Sequence, residues 1–122
     1  MTPGRSSILT YHSVDTANSV ISIAPKKFRE QMTCLVEMGI PVVPLAEIRS
    51  AAGSVALTFD DGFRNFFEHA LPALQEYNFP ATVFAVSGYC AKQNAWPSQT
   101  PEVPALDLMS WSELEQISKA GV

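Results

Sequence analysis

The sequence predicts an α/β fold built on a parallel sheet, and three observations predict it. Short continuous apolar runs rich in β-branched and aromatic residues stand at 7–11, 55–59 and 81–86. Between them, apolar residues recur at helical spacing, as in Phe28, Met32, Leu35 and Val36. One strand-like run ends directly in Asp60-Asp61-Gly62, where parallel α/β folds place their functional residues. Strands that are apolar throughout, rather than alternating, are buried on both faces and imply covering helices.

The elements follow in order. Ser7-Ile8-Leu9-Thr10-Tyr11 reads as a short buried strand that runs into His12 and then a polar loop. Pro25, whose missing N–H costs nothing in a first helical turn, opens a helix that Gly39 closes. Pro41-Val42-Val43-Pro44 reads as a short strand, and 45–51 as a short helix ending near Gly53. The 55–59 strand carries the acidic pair at its end. Residues 66–77 are helical but contain Pro72, which is expected to open the main helix after a turn or kinked start. A strand at 81–86 precedes a long irregular segment, 88–108, with Pro97, Pro101 and Pro104. Loops of that length are often functional. Ser110-Trp111-Ser112-Glu113 has the form of a capping box at the head of a last helix, and Val122 stands where a further strand would begin.

The 122 residues suit one domain, 1–122, and a hydrophobic share of 47% against 16% charged suits a packed core. The net charge is −4 with no basic stripe, so nucleic acid is not an expected partner. No apolar run approaches the roughly 20 residues of a membrane span, and none at the N-terminus has signal-peptide length. The chain as written is therefore expected to be cytoplasmic. Cys34 and Cys90 lack pairing or metal spacing and read as free thiols.

Two strand ends carry candidate chemistry: His12 after the first strand, and Asp60 with Asp61 after the third. Two adjacent carboxylates repel, and a divalent cation relieves that cost. One could then bind metal while the other works on a water, with Gly62 letting the backbone turn. Taken alone, Asp-Asp-Gly after a strand is a turn more often than an active site. A Mg²⁺ site for phosphoryl transfer is a second alternative, although the Asp-x-Asp spacing of one such group is absent. His12 alone would read as a hydrogen-bonded strand-end histidine. His69 reads as a solvated helix-surface residue, Trp111 as core, and Trp96 as a loop residue that packs or stacks on a sugar ring.

The wider pattern narrows the alternatives. Val55-Ala56-Leu57-Thr58-Phe59-Asp60-Asp61-Gly62-Phe63 resembles the first motif of the polysaccharide deacetylase family, carbohydrate esterase family 4. Ala70-Leu71-Pro72-Ala73-Leu74, Pro80-Ala81-Thr82-Val83-Phe84 and Met109-Ser110-Trp111-Ser112-Glu113-Leu114 are similar to the succeeding segments of that family. Ile8-Leu9-Thr10-Tyr11-His12-Ser13-Val14 resembles the opening of a circularly permuted subgroup acting on poly-N-acetylglucosamine-type polymers. The resemblance implies Asp60 as general base, Asp61 as metal ligand and His12 as general acid. It implies a divalent metal, zinc, and hydrolytic N-deacetylation of an N-acetylated polysaccharide. A related possibility keeps the fold but cleaves other C–N bonds, such as those of cyclic amides.

The same resemblance implies a (β/α) barrel of parallel strands, of which this chain carries about half. A full barrel takes on the order of 200–250 residues. The family's two histidine ligands come from a His-Ser/Thr-x-x-His motif on a strand beyond Val122. With one carboxylate against the usual three protein ligands, the chain alone is expected to be inactive and to hold metal weakly. Its open sheet edges invite self-association. The rival is a non-catalytic module that binds glycans or assembles with a partner.

Overall fold

The computed structural model describes residues 4–122; the first three residues of the expected 1–122 domain lie outside the described residues. Strand β1 (Ser7–Tyr11) leads through His12 into β2 (Ser13–Val14), which pairs in parallel with β3 (Ser22–Ile23). This small ladder lies where the sequence suggested only a polar loop. Helix α1 (Pro25–Glu37) starts on Pro25 and ends in a Schellman motif: Gly39 N–H donates to Val36 C=O and Ile40 N–H to Leu35 C=O, both at 3.0 Å. Gly39 sits at φ +66°, which a residue with Cβ adopts only at a cost.

The expected strand at 41–44 is a single parallel bridge between Val42 and Val55, and the expected helix at 45–51 shrinks to a 3₁₀ turn, Leu45–Glu47. Pro41 and Pro44 lack the N–H groups that a longer ladder needs. Strand β4 (Val55–Asp61) is the centre of the sheet, buried from Val55 through Phe59. A π-turn, Phe66–Ala70, then feeds helix α2 (Leu71–Glu76), and Pro72 falls in that helix's first turn, as its missing donor requires. Strand β5 (Thr82–Ala85) pairs with β4, and helix α3 (Trp111–Lys119) follows the long loop.

The main sheet has the order β1-β4-β5 with both pairings parallel. The chain thus crosses over so that its first strand lies beside a strand 48 positions later; Thr10 and Thr58 share a side-chain hydrogen bond of 2.9 Å there. Phe59 anchors the core, with its ring 4.7 Å from Phe66, 5.3 Å from Tyr11 and 5.7 Å from Phe28. Helix α1 adds Met32 and Leu35, and α2 adds Ala73 and Leu74. Burial pushes the Tyr11 phenol up to about 12.

Three burial expectations change, the first in β5, where Phe84 is 52% exposed and Ala85 is exposed too. Strand β1 alternates half-buried and exposed residues, with Ile8 50% exposed, because among the described residues only β4 flanks it. Trp111 is 64% exposed rather than core: it is the first residue of α3, whose buried face centres on Ile117.

Candidate active site

Because β1, β4 and β5 are parallel, their carboxyl ends lie together on one side of the sheet. His12 follows β1 directly, and Asp60 and Asp61 are the last residues of β4. The register Tyr11↔Phe59 therefore brings His12 beside Asp60. The His12 Nε2 lies 3.5 Å from Asp60 Oδ2, each side chain a little over one-third exposed. Both groups are open to solvent, so their mutual attraction is modest.

Asp61 adopts φ +76° and Gly62 φ +71°, two consecutive left-handed residues. Side chains along a strand alternate between faces, and this left-handed step ends the alternation at the carboxylate pair. For Asp61 that conformation is a local cost of the kind found at functional sites. Its carboxyl is held above the usual range: burial is the main cause, the Asp60 charge adds to it, and His12 opposes it. Gly62 is also needed for space, since a Cβ there would lie 3.3 Å from Ala85 Cα on β5.

Residues that no sequence motif singled out hold this arrangement. Asn65 Oδ1 accepts from Val14 N–H at 3.0 Å, while its Nδ2 donates to Ser13 Oγ at 2.7 Å. Ser13 and Val14 are fully buried, so Asn65 clamps the segment after His12 to the turn after the carboxylates. Ser13 Oγ also donates to Asp15. Burial would raise the Asp15 carboxyl, but the hydrogen bonds from Ser13, Ala17 N–H and Ser22, with the His69 charge, hold it below its usual range. His69 is itself exposed, as expected. No local pattern marks Asn65, because its partners are more than 50 residues away.

The long loop is fastened to the same turn. Met109 N–H donates to Gly62 C=O at 2.9 Å, Arg64 N–H to Asp107 C=O at 2.8 Å, and Arg64 Nε to Glu113 at 3.2 Å. Within the loop, the buried Asn94 bonds Leu106 N–H at 2.7 Å and Pro104 C=O at 3.0 Å, so a segment rich in proline is nonetheless ordered. The capping box is present in full: Glu113 N–H donates to Ser110 Oγ, and Ser110 N–H donates to the Glu113 carboxylate. Cys34 is an exposed free thiol and Cys90 a half-buried one.

Whether this chain's own residues suit a metal follows from the donors. Among the described residues, no three His, Cys, Asp or Glu side chains form a group that could hold a metal ion. The chain has two histidines; His12 faces Asp60, and His69 stands on the π-turn. A catalytic zinc normally takes three protein ligands, so these residues do not fit a metal site by themselves. Their chemical capacity is to hold and pass protons between an imidazole and a carboxylate at an accessible strand end.

A family profile described as "Polysaccharide deacetylase" matches residues 48–122. The chain is 32% identical over 84 residues to the poly-beta-1,6-N-acetyl-D-glucosamine N-deacetylase of Escherichia coli (strain K12), covering 60% of this chain and 12% of that protein. It is 33% identical over 69 residues to the protein of the same name in Staphylococcus aureus (strain MSSA476), covering 57% and 21%. Among solved structures, IcaB from Ammonifex degensii aligns with a TM-score of 0.82 at 23% identity, over 98% of this chain and 50% of that one. The Streptococcus pyogenes deacetylase PplD aligns with a TM-score of 0.75 at 22% identity, over 98% and 54%. The chain thus spans a third or less of the curated relatives it matches and about half of these solved structures. Its fold is accordingly an α/β half of a (β/α) barrel.

Proposed function

The chain belongs to the polysaccharide deacetylase family, and from that membership we propose that it supplies the Asp60–Asp61–His12 part of a metal-dependent N-deacetylase acting on poly-N-acetylglucosamine. The observation that carries the reading is the meeting of His12 Nε2 and Asp60 Oδ2 at 3.5 Å across two parallel strand ends. The names of the Escherichia coli and Staphylococcus aureus relatives supply the polymer class.

In this reading Asp60 is the general base. It takes a proton from a water whose oxygen attacks the acetyl carbon. His12 is the general acid: it gives its proton to the amide nitrogen as the C–N bond breaks, releasing acetate and a free amine. Asp61 is the metal ligand of the set, and zinc is the proposed ion. The donors present do not complete a site for it, so the 122-residue chain alone is proposed to be inactive and to bind divalent metal weakly.

A second reading makes the chain a non-catalytic module that binds glycan or self-associates. It is favoured by the open β1 edge, where Ile8, Leu9, Tyr11 and Leu35 line an apolar groove of about 500 Å³. The tests are separable. The coding DNA beyond Val122 is read for a His-Ser/Thr-x-x-His pair, and acetate release from a β-1,6-linked N-acetylglucosamine pentasaccharide is followed for the full gene product. The deacetylase reading expects the pair, and a fall of about 10²–10⁴-fold in kcat for Asp60→Asn. Absence of the pair, with sedimentation that depends on concentration, favours the second reading. Stoichiometric zinc and acetate release from the chelator-washed 122-residue chain would overturn the claim that it is inactive alone.

A further inference from the structure

Two cavities lie side by side along the loop that follows β5. The first, about 300 Å³, is bounded by Asp15, Arg64, Asn65, Glu68, Gln93 and Asp107. The second, about 230 Å³, is bounded by Trp96, Gln99 and Pro104, and shares Gln93 and Ala105 with the first. They therefore adjoin through a common wall. Their position follows from the topology. Asp15 comes just after β2 and three residues past His12, and Arg64 comes three residues past Asp61. The loop leaves the carboxyl end of β5 and is pinned back on Gly62, Arg64 and Glu113. The groove thus starts at Arg64 and Asn65, in the turn that follows the carboxylate pair in the chain, and continues along the loop.

The two cavities differ in chemistry in a way that suits successive sugars. The first is lined by planar donors (Arg64, Asn65, Gln93) and carboxylate acceptors (Asp15, Glu68, Asp107). Several already bond within the protein, Asn65 to Ser13 and both Gln93 and Arg64 to Asp107, and their remaining donor and acceptor positions match hydroxyls and amides. The second presents the half-buried Trp96, whose ring meets Tyr89 edge-on at 5.5 Å and 83°, so this contact takes up at most one of its faces. An indole face packs against the apolar C–H face of a pyranose and removes apolar area from water. The charge balance adds a selection: the guanidinium of Arg64 is shared between Asp107 and Glu113, which leaves the Asp15 and Glu68 charges to repel an anionic ligand. Asn94 keeps the loop in shape, bonding both Leu106 and Pro104, so the groove is preformed rather than assembled on binding.

We propose that this groove binds two consecutive pyranose units of a neutral, N-acetylated polysaccharide, holding the polymer beside the Asp60 carboxylate. The assignment rests on the glycan-directed reading above, but not on catalysis by the 122-residue chain. The test is amide and indole shift mapping by NMR on that chain, titrated with the β-1,6-linked N-acetylglucosamine pentasaccharide and, separately, with a uronic acid oligomer of equal length. The expected result is saturable shifts at Gln93, Trp96 and Leu106 with the neutral oligomer, and much smaller ones with the uronic acid. Trp96→Ala is expected to weaken binding about tenfold and the exposed Glu68→Ala about threefold, the range of single aromatic and polar contacts. Lys119→Ala, on the exposed last turn of α3 and outside both cavities, should leave the affinity unchanged. Shifts confined to His12, Asp60 and Asp61 would overturn the groove and leave the deacetylase reading standing. Groove binding in a protein whose full gene product releases no acetate would do the reverse. Equal binding of the two oligomers, or none, overturns the proposal. Gln93→Ala, on the same wall but without the packing of Trp96, guards against a fold artefact and is expected to weaken binding in the same direction.

Discussion

Replacing Gly62 with alanine separates two costs that usually arrive together. The first is conformational: at φ +71° an L-residue is strained by roughly 1–2 kcal/mol. The second is steric: the new Cβ would stand 3.3 Å from Ala85 Cα and 3.4 Å from Ala85 Cβ, at the carboxyl end of the β4–β5 pairing. The Cα is backbone, so relief requires the strands to shift, and overpacking of this kind costs about 1–3 kcal/mol. Gly39 provides the control. It has nearly the same φ, +66°, but among the described residues nothing lies within 4 Å of its would-be Cβ, so Gly39→Ala carries only the first cost. The expected destabilisation is about 2–5 kcal/mol for Gly62→Ala and about 1–2 kcal/mol for Gly39→Ala. Equilibrium urea unfolding followed by circular dichroism measures both. Thermal melts should separate the two variants by roughly 3–5 °C for each kcal/mol of difference. Adding Ala85→Gly to Gly62→Ala should restore only part of the loss, since the new methyl group still meets the β5 backbone. Equal midpoints for the two glycine variants would refute the claim that close strand approach, and not turn geometry alone, demands glycine after the carboxylate pair.

Two further expectations concern the contacts around the site. Glu113→Gln retains an acceptor for Ser110 N–H but loses the charge facing Arg64, and should cost about 0.5–1.5 kcal/mol at neutral pH. Burial would raise the Glu113 carboxyl, but the bonds from Ser110 and the Arg64 interaction outweigh it and hold it below the usual range. Its stabilisation is therefore complete above the ordinary glutamate value of about 4.3 and is lost as pH falls through the lower folded value. Melting curves of wild type and variant should converge over that interval; a gap that persists in acid would show that charge is not the cause. Asn65→Ala leaves the buried Val14 N–H without its acceptor, while Ser13 Oγ keeps its bond to Asp15, at a cost of about 1–3 kcal/mol. Hydrogen exchange at Val14 should accelerate more than at β5 amides, and uniform acceleration would count against a local clamp.

The features legible in the residues were those encoded within a few positions. Pro25 and Gly39 bracket α1, Pro72 starts α2 after an irregular turn, and Ser110 with Glu113 caps α3; each acts through backbone groups within one helical turn. Asp60 and Asp61 were legible because they end an apolar strand. Illegible features depend on partners distant in the chain. Asn65 looks like any helix-start residue until Ser13 arrives beside it, and Asn94 like any loop asparagine until it meets Leu106. Strand β1 has an apolar sequence but a half-exposed surface, since exposure there depends on its neighbours in the sheet rather than on its composition. Trp111 misled for a related reason, as its size suggests burial while its place in the first turn of α3 leaves it in solvent.

The crossover that sets β1 against β4 also predicts an order of folding events, which φ-values at Thr10 and Val83 would test. Strands β4 and β5 are joined through one short helical connection, whereas Thr10 must find Thr58 across 48 residues of chain. Closing the longer loop costs more entropy, and contacts of large sequence separation form late. The carboxylate pair and its Ala85 support would therefore take shape in an early β4–α2–β5 nucleus, and His12 would reach Asp60 only when the first strand docks.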